Sequence, residues 1–435
     1  MRISVIGCGY LGAVHAAAMA SLGHEVVGVD VAADRVAALT DGRAPFYEPG
    51  LDELLARASS AERLSFTTDV ADAKGAAVHF VCVGTPQRAD SDAADLRHVE
   101  AAFEALLPVL QPGDVVAGKS TVPVGTAERH RRDVEAAGAH LVWNPEFLRE
   151  GFAIHDTLHP DRLVYGLAPG DTTSAAVLDE VYASQLDART PRIVTDLATA
   201  ELVKVAANSF LATKISFINA MAELCEVAGG DVGTLADAIG LDPRIGRRFL
   251  GAGVGFGGGC LPKDIRAFSA RAHELGADSA GGLLREVDGI NLRRREHVAD
   301  LVREEVGELV GARVSVLGAA FKPDSDDVRD SPALDVALRL AAAGADVVVT
   351  DPRAIESARR VAPGLTYVPD LDDAVRGARA VVLLTEWREY RDADPARLGA
   401  LVSRRVVVDG RRVLDRAAWE AAGWRLRVIG SADRT

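Results

Sequence analysis

A chain of 435 residues is too long for one ordinary core and points to two or three domains. Lys plus Arg total 49 against 63 Asp plus Glu, a formal charge of -14, which repels nucleic acid and anionic lipid at long range. No window approaches about 20 uninterrupted apolar residues, and Met1 leads at once into a strand pattern, so a soluble, cytoplasmic protein with neither a nucleic-acid nor a membrane partner is expected.

The first predicted element is a short buried strand, Arg2 to Ile6. It runs into Gly7-Cys8-Gly9-Tyr10-Leu11-Gly12 and then an alanine-rich helix from Ala13 to Leu22. A second strand, Val26 to Val29, closes on Asp30. This is strand, GxGxxG, helix and acid in register: the glycines allow a tight turn, the approach of a pyrophosphate and close helix packing, and Asp30 receives ribose hydroxyls. An acid at that place favours NAD over a cofactor carrying a 2′-phosphate, and Arg35 nearby weakens the preference slightly.

Further strands are predicted at Ala76 to Val83, Asp114 to Gly118 and Leu141 to Trp143, with helices around Leu51 to Ala61 and Leu96 to Leu110. The alternation is that of a doubly wound α/β sheet. Its strand ends carry Gly84-Thr85-Pro86, Lys119-Ser120-Thr121-Val122-Pro123 and Asn144 to Gly151, loops that converge on one crevice in such folds. Thr121, Glu146 and Glu150 bear the useful chemistry there, although a glutamate on a lone loop is ordinarily a solvated charge.

From Leu197 to Ala228 a long helix is predicted, with Lys204 and Asn208 one turn apart on one face. Taken alone, a lysine among Val203, Val205, Ala206 and Ala207 reads as a snorkelling surface residue. Another helix follows through Ile239, and Asp242-Pro243-Arg244 leads to Gly251-Ala-Gly-Val-Gly-Phe-Gly-Gly-Gly-Cys260-Leu-Pro-Lys-Asp264. Six glycines before one cysteine are costly unless a close contact requires them, and Lys263 and Asp264 bring charge to the thiol. The competing reading is a flexible surface loop with an incidental cysteine. Cys8, Cys82 and Cys225 read as small buried hydrophobes, and the four cysteines show no metal spacing.

Gly276 to Gly282 is read as a loop and Leu283 to Val310 as a charged helix. Arg313 to Gly318 then echoes Ile3 to Gly7, and Asp346 to Asp351 echoes Glu25 to Asp30. This second βαβ half has Gly318-Ala-Ala-Phe-Lys322-Pro at its first turn, without the second and third glycines, so it does not cradle a dinucleotide in the same way. The expected architecture is two Rossmann-like doubly wound domains joined by a long central helix, divided as 1–196, 197–300 and 301–435.

These motifs, with Ala200 to Asn208, Phe321-Lys322-Pro323 and Asp409-Gly410-Arg411-Arg412, resemble the UDP-glucose/GDP-mannose dehydrogenase family along nearly the whole chain. The resemblance implies an NAD-dependent, four-electron oxidation of a nucleotide sugar's C6 alcohol to a carboxylate. It makes Cys260 the nucleophile of a thiohemiacetal and then a thioester, Lys204 and Asn208 oxyanion stabilisers, Asp264 a base or water-positioning group, and Glu146 and Thr121 helpers in hydrolysis. By the same matching, NAD meets Gly7, Gly9, Tyr10, Leu11, Gly12, Asp30, Arg35, Thr85, Thr121, Glu150, Lys263 and Arg329. The sugar nucleotide meets Phe147, Leu148, Arg149, Glu150, Lys204, Asn208, Phe249, Gly251, Gly255, Phe256, Gly257, Lys322 and Arg411.

Arg244 matches an arginine that reaches a neighbouring subunit's site, which implies at least a homodimer, built on the central helices. Glu150-Gly151 and Gly255-Phe256 look more like the UDP-glucose branch than the branches acting on GDP-mannose or UDP-N-acetylhexosamines, so UDP-glucose is the expected substrate. A nucleotide-sugar and NAD sensor without turnover is the alternative from another class, and it needs no aligned cysteine, lysine, asparagine and aspartate. Two departures from the family pattern affect loop stiffness: Gly84 stands where proline is usual and Gly259 where serine is usual.

Overall fold

The computed structural model describes residues 1–432. They fall into two compact units, Met1–Ala207 with Ala270–Gly276, and Asn208–Ser269 with Ala277 onward. No helix among the described residues is long and apolar enough to cross a membrane.

The first unit is built on eight strands: β1 (Arg2–Ile6), β2 (Glu25–Val29), β3 (Leu64–Thr67), β4 (Val78–Val81), β5 (Val115–Gly118), β6 (His140–Trp143), β7 (Leu163–Leu167) and β8 (Arg192–Asp196). They lie in the order β3-β2-β1-β4-β5-β6-β7-β8. The first six reproduce the dinucleotide-binding order, with the reversal between β1 and β4. Those central strands are buried on both faces, which is why β5 reads as an unbroken apolar run and β4 as one broken only by His79. The parallel arrangement expected from sequence ends at β6, because β7 pairs with it antiparallel, Val142 opposite Leu167.

Ser4, His79 and Asp114 form a hydrogen-bonded chain from β1 through β4 to the start of β5, at 2.7 and 3.3 Å. All three are buried, so this serine-histidine-aspartate line satisfies polar groups inside the core and meets no substrate.

The second unit carries β9 (Arg313–Leu317), β10 (Asp346–Thr350), β11 (Thr366–Tyr367), β12 (Ala380–Leu383), β13 (Val406–Asp409) and β14 (Arg425–Val428), in the order β11-β10-β9-β12-β13-β14. This is the same order as the first half, so the echo read between the two strand motifs extends to topology. All its pairs are parallel.

The central helix spans Leu197–Ala228, 32 residues, or about 48 Å at 1.5 Å per residue, and Lys204 falls in the first unit and Asn208 in the second. The first helix begins at Tyr10, three residues earlier than read, because helical geometry starts inside the glycine motif. The helix read through Leu110 ends at Leu106 and tightens into a 3₁₀ turn, Leu107–Val109, where Pro108 lacks an N–H to continue it.

The loop expected over 276–282 is corrected. A helix runs from Asp278 to Val306 and includes Gly281 and Gly282. A Cβ at Gly281 would stand 3.3 Å from the carbonyl oxygen of Ser269, so the glycine serves close packing instead of breaking the helix. The helix stops four residues before the expected Val310, at Gly307, whose φ of +80° is a helix-ending conformation. Cys8, Cys82 and Cys225 are buried as expected, and Cys260 is exposed.

Candidate active site

At the end of β1 the three glycines of GxGxxG serve different needs. Gly7 has φ +89°, and a Cβ there would meet Val83 at 2.7 Å; a Cβ on Gly12 would lie 1.8 Å from the carbonyl oxygen of Gly7. Those two are required by the protein itself. A Cβ on Gly9 would meet nothing within 4 Å. Gly9 therefore leaves open space at the N-terminus of the helix Tyr10–Ser21, which has no side-chain cap, the setting in which free backbone N–H groups receive phosphate.

Asp30 is held beside this turn. Its carboxylate accepts from the backbone N–H of Cys8 at 2.7 Å and of Ala32 at 2.9 Å, and Arg35 donates to both oxygens at 3.0 and 2.8 Å. Arg35 is thus neutralised by the acid it was expected to moderate. The turn and acid fit a dinucleotide with unmodified ribose hydroxyls.

Glu48, which sequence reading missed, staples the Glu150-Gly151 turn to this motif. It accepts from the Tyr10 hydroxyl, from Gly151 N–H at 2.6 Å and from Ala153 N–H at 2.8 Å. Thr85 donates to the carbonyl of Thr121 at 2.7 Å, which joins two of the loops read as one crevice.

Lys204 donates to Glu146 at 2.8 Å, and the two side chains are only 6% and 13% exposed. The snorkelling reading of Lys204 fails because a carboxylate from a distant loop meets it inside the fold. Glu146 also accepts from Leu148 N–H at 2.6 Å. Phe147 lies with the Arg162 guanidinium 3.7 Å and the Lys204 ammonium 5.7 Å from its ring centre.

Glu201, one turn earlier on the central helix, is a further residue not anticipated. It caps the helix Thr126–Ala136 by accepting from Gly125 and Ala127, each at 2.7 Å, so the helix bearing Lys204 is tied to the turn that follows Thr121. Burial raises its carboxyl to about 7.

In the second unit the glycine-rich stretch is buried from Ala252 to Gly259, which rules out the flexible surface loop. Gly253 N–H bonds Asn219 at 2.8 Å, and Asn291 makes a reciprocal pair with the backbone of Phe256 at 2.8 and 3.0 Å. Arg295 adds a bond to Phe256 carbonyl at 3.0 Å. Gly255 has φ +105°, and a Cβ there would lie 2.4 Å from Asn291 Oδ1; one on Gly257 would lie 2.3 Å from the carbonyl oxygen of Asp330. The glycines are demanded by neighbours on both sides.

Gly259, where serine is usual, has a specific reason. A Cβ would fall 2.1 Å from the guanidinium carbon of Arg329, which is fixed by Asp327 at 2.6 and 2.9 Å. Glycine here admits the arginine to the backbone.

Cys260 emerges from this packed run directly before the helix Leu261–Glu274, where an anion interacts favourably with the helix dipole. One turn on, Asp264 is 3% exposed and accepts from Asn208 at 2.6 Å and Lys263 at 2.5 Å. Cysteine, aspartate and asparagine are therefore assembled in one unit.

Other predicted contacts are engaged within the protein. Arg149 is held by Asp156 at 2.7 and 2.8 Å, and Arg244 by Asp242 at 2.6 and 3.0 Å on an exposed turn. Arg411 donates to the carbonyls of Leu384, Gly255 and Phe321, bracing the cysteine loop against the second sheet. Phe249 is exposed, and a Cβ on Gly251 would meet nothing, so this end of the loop is open. Lys322 lies over Phe321, 5.4 Å from its centre.

The second half's turn differs as read. The Asp351 carboxylate, which matches Asp30, is 2% exposed and accepts from Ala319, Ala320, Arg353 and Ala354 N–H and from the Trp387 indole.

Residues 1–186, 198–293 and 315–416 match, in order, the NAD binding, central and UDP binding domains of the UDP-glucose/GDP-mannose dehydrogenase family. The chain is 41% identical to a UDP-glucose 6-dehydrogenase of Rhizobium meliloti (strain 1021), with 100% of both chains covered. A solved UDP-glucose dehydrogenase from Pyrobaculum islandicum superposes with TM-score 0.91 at 41% identity, over 99% of this chain and 98% of that one. A UDP-D-ManNAc dehydrogenase from Pyrococcus horikoshii has TM-score 0.88 at 28% identity, with 100% of both covered. With three domains matched in sequence and a full-length relative at that identity, the chain belongs to the UDP-glucose/GDP-mannose dehydrogenase family.

Proposed function

We propose that the protein is an NAD-dependent dehydrogenase that converts UDP-glucose to UDP-glucuronate in two oxidations at one carbon. The observation that carries this reading is the buried glycine run delivering Cys260 to a helix N-terminus one turn from the bonded pair Asp264 and Asn208. A binding sensor needs none of that assembly. The choice of sugar rests on identity: 41% to the solved UDP-glucose enzyme against 28% to the UDP-D-ManNAc enzyme, at similar fold agreement.

NAD held by Gly7, Gly9, Gly12 and Asp30 supplies the hydride acceptor for each oxidation. In the first oxidation the C6 hydroxyl gives its proton to a water positioned by Asp264 as the hydride leaves C6 to give the aldehyde. Lys204 and Asn208 stabilise the negative charge developing on the oxygen, and Asp264 holds Asn208 for that task. The sulfur of Cys260 adds to the C6 aldehyde, and the resulting thiohemiacetal is a hydride donor that a bare aldehyde is not. Its oxidation leaves a thioester. Water then attacks the thioester carbon, Glu146 takes the water's proton, and the C–S bond breaks to return the thiolate. The test is stoichiometry and substrate choice: two NADH per UDP-glucose consumed, with kcat/KM higher for UDP-glucose than for GDP-mannose or a UDP-N-acetylhexosamine. One NADH per sugar, or the reverse ranking, overturns the assignment.

A homodimer is part of the same reading. Phe210, Phe217 and Leu224 repeat every seven residues on the central helix and are 67%, 48% and 57% exposed, an unpaid apolar stripe of the kind one helix offers a second copy. Light scattering should give at least twice the 45.8 kDa chain mass, and Phe217→Glu should reduce it to the chain mass. A wild type that runs as a monomer ends the proposal.

A further inference from the structure

Lys119 is a buried lysine that the reaction as described does not use. It follows β5, in the loop that also carries Thr121. Its ammonium donates to Asn144 Oδ1 at 3.0 Å and, at 3.4 Å, to the carbonyl of Asn144, the residue from which the Pro145-Glu146 turn departs. The Tyr182 hydroxyl lies 3.2 Å from the ammonium and itself donates to Asn144 Oδ1 at 2.7 Å, while the Asn144 amide donates to the carbonyl of Val164 at 3.0 Å. The rings of Phe80 and Tyr182 lie 5.5 and 5.7 Å from the charge. No carboxylate is within hydrogen-bond distance of it among these contacts. A cation kept in such a place is costly, and apolar packing would fill the same space more cheaply.

We propose that Lys119 is a positioning residue for hydrolysis of the thioester: it fixes the Asn144-Pro145-Glu146 turn, and so sets the Glu146 carboxylate where it accepts the proton of the attacking water. This rests on the reaction proposed above. Lys204 meets Glu146 from the central helix, whereas Lys119 holds the Asn144 carbonyl and side chain at the root of the turn. The two loops named in the site, Lys119 to Pro123 and Asn144 to Gly151, are thereby locked together by one side chain.

The titratable groups around Lys119 are His15 on the first helix, Cys82 after β4, Glu146, Tyr182 and Lys204. Burial lowers the ammonium to about 8, with Lys204 acting in the same direction and Glu146 and Cys82 opposing it. The charge is present below that value and lost as pH rises through it.

The experiment compares wild type, Lys119→Met and Lys119→Arg with UDP-glucose and NAD, by steady-state and rapid-mixing measurement of NADH. Lys119→Met should lower kcat about a hundredfold, the scale of a misplaced reacting group, with both KM values within about threefold of wild type. Because only hydrolysis is slowed, a burst approaching two NADH per subunit should precede the slow phase. Lys119→Arg keeps the charge and should recover at least about tenfold in kcat, and its rate should persist at pH 9 where that of wild type falls. Should Lys119→Met fail to fold, as judged by thermal unfolding, the arginine variant's pH profile still decides: an alkaline limb identical to wild type overturns the proposal. A Lys119→Met enzyme with kcat within about threefold of wild type, or slow without a burst, also overturns it. A wild type that forms no NADH from any nucleotide sugar instead sinks the reaction itself, and the role of Lys119 with it.

Discussion

Cys260→Ser is expected to abolish formation of free UDP-glucuronate, lowering the rate by about 10⁴-fold or more, while leaving NAD and UDP-glucose binding in place. Cys260 is exposed at the start of the helix Leu261–Glu274, and the backbone before it is fixed by Asn219, Asn291 and Arg295 through bonds to Gly253 and Phe256. The substitution therefore removes the nucleophile without unpacking the loop. A serine hydroxyl at that helix end is not ionised near neutral pH, and Asp264, one turn on, is already bonded to Asn208 and Lys263. Product analysis by chromatography checks this, and acid release at the wild-type rate would end the covalent account.

The second large effect is expected from Gly255→Ala, the smallest change available in the loop. A methyl there would stand 2.4 Å from Asn291 Oδ1, at a residue whose φ of +105° disfavours any L side chain. Relief requires the Asn291 side chain to leave both of its bonds to Phe256 or the loop to shift. A cost of about 2–4 kcal/mol in stability is expected from strain and the broken pair. Because the loop delivers Cys260, kcat should fall about a hundredfold as well. Thermal unfolding and steady-state kinetics measure the two effects. A neutral Gly255→Ala would mean that the loop is as loose as a glycine run in isolation.

The parts of this molecule that sequence reading reached are those whose cause is local. The GxGxxG turn, the acid 18 residues beyond Gly12 and the missing glycines after Gly318 each follow from backbone geometry over a short stretch. What escaped were single buried polar residues whose partner lies far along the chain: Asn291 on Phe256, Glu48 on Gly151, Glu201 on Gly125 and Lys119 on Asn144. Nothing in the neighbourhood of any one of them announces the pairing. Lys204 illustrates the same limit, since the apolar residues around it read as a surface stem until Glu146 arrives from 58 positions away. The helix over Gly281 and Gly282 was misjudged for a related reason, because the Ser269 carbonyl that makes the glycine useful is supplied by a different helix. By contrast, the self-contained Asp242–Arg244 clasp needs only a two-residue step and was within reach of inspection.

Asp351 shows what becomes of a ligand-binding carboxylate when its own protein answers it. Where Asp30 meets two backbone donors and one partly exposed arginine, Asp351 is sealed by four amides and an indole. Restoring glycines after Gly318 would therefore not convert the C-terminal half into a second NAD cradle. The indole of Trp387 stands as a built-in substitute for a ribose hydroxyl, and an engineer wishing to load that half would have to evict it first.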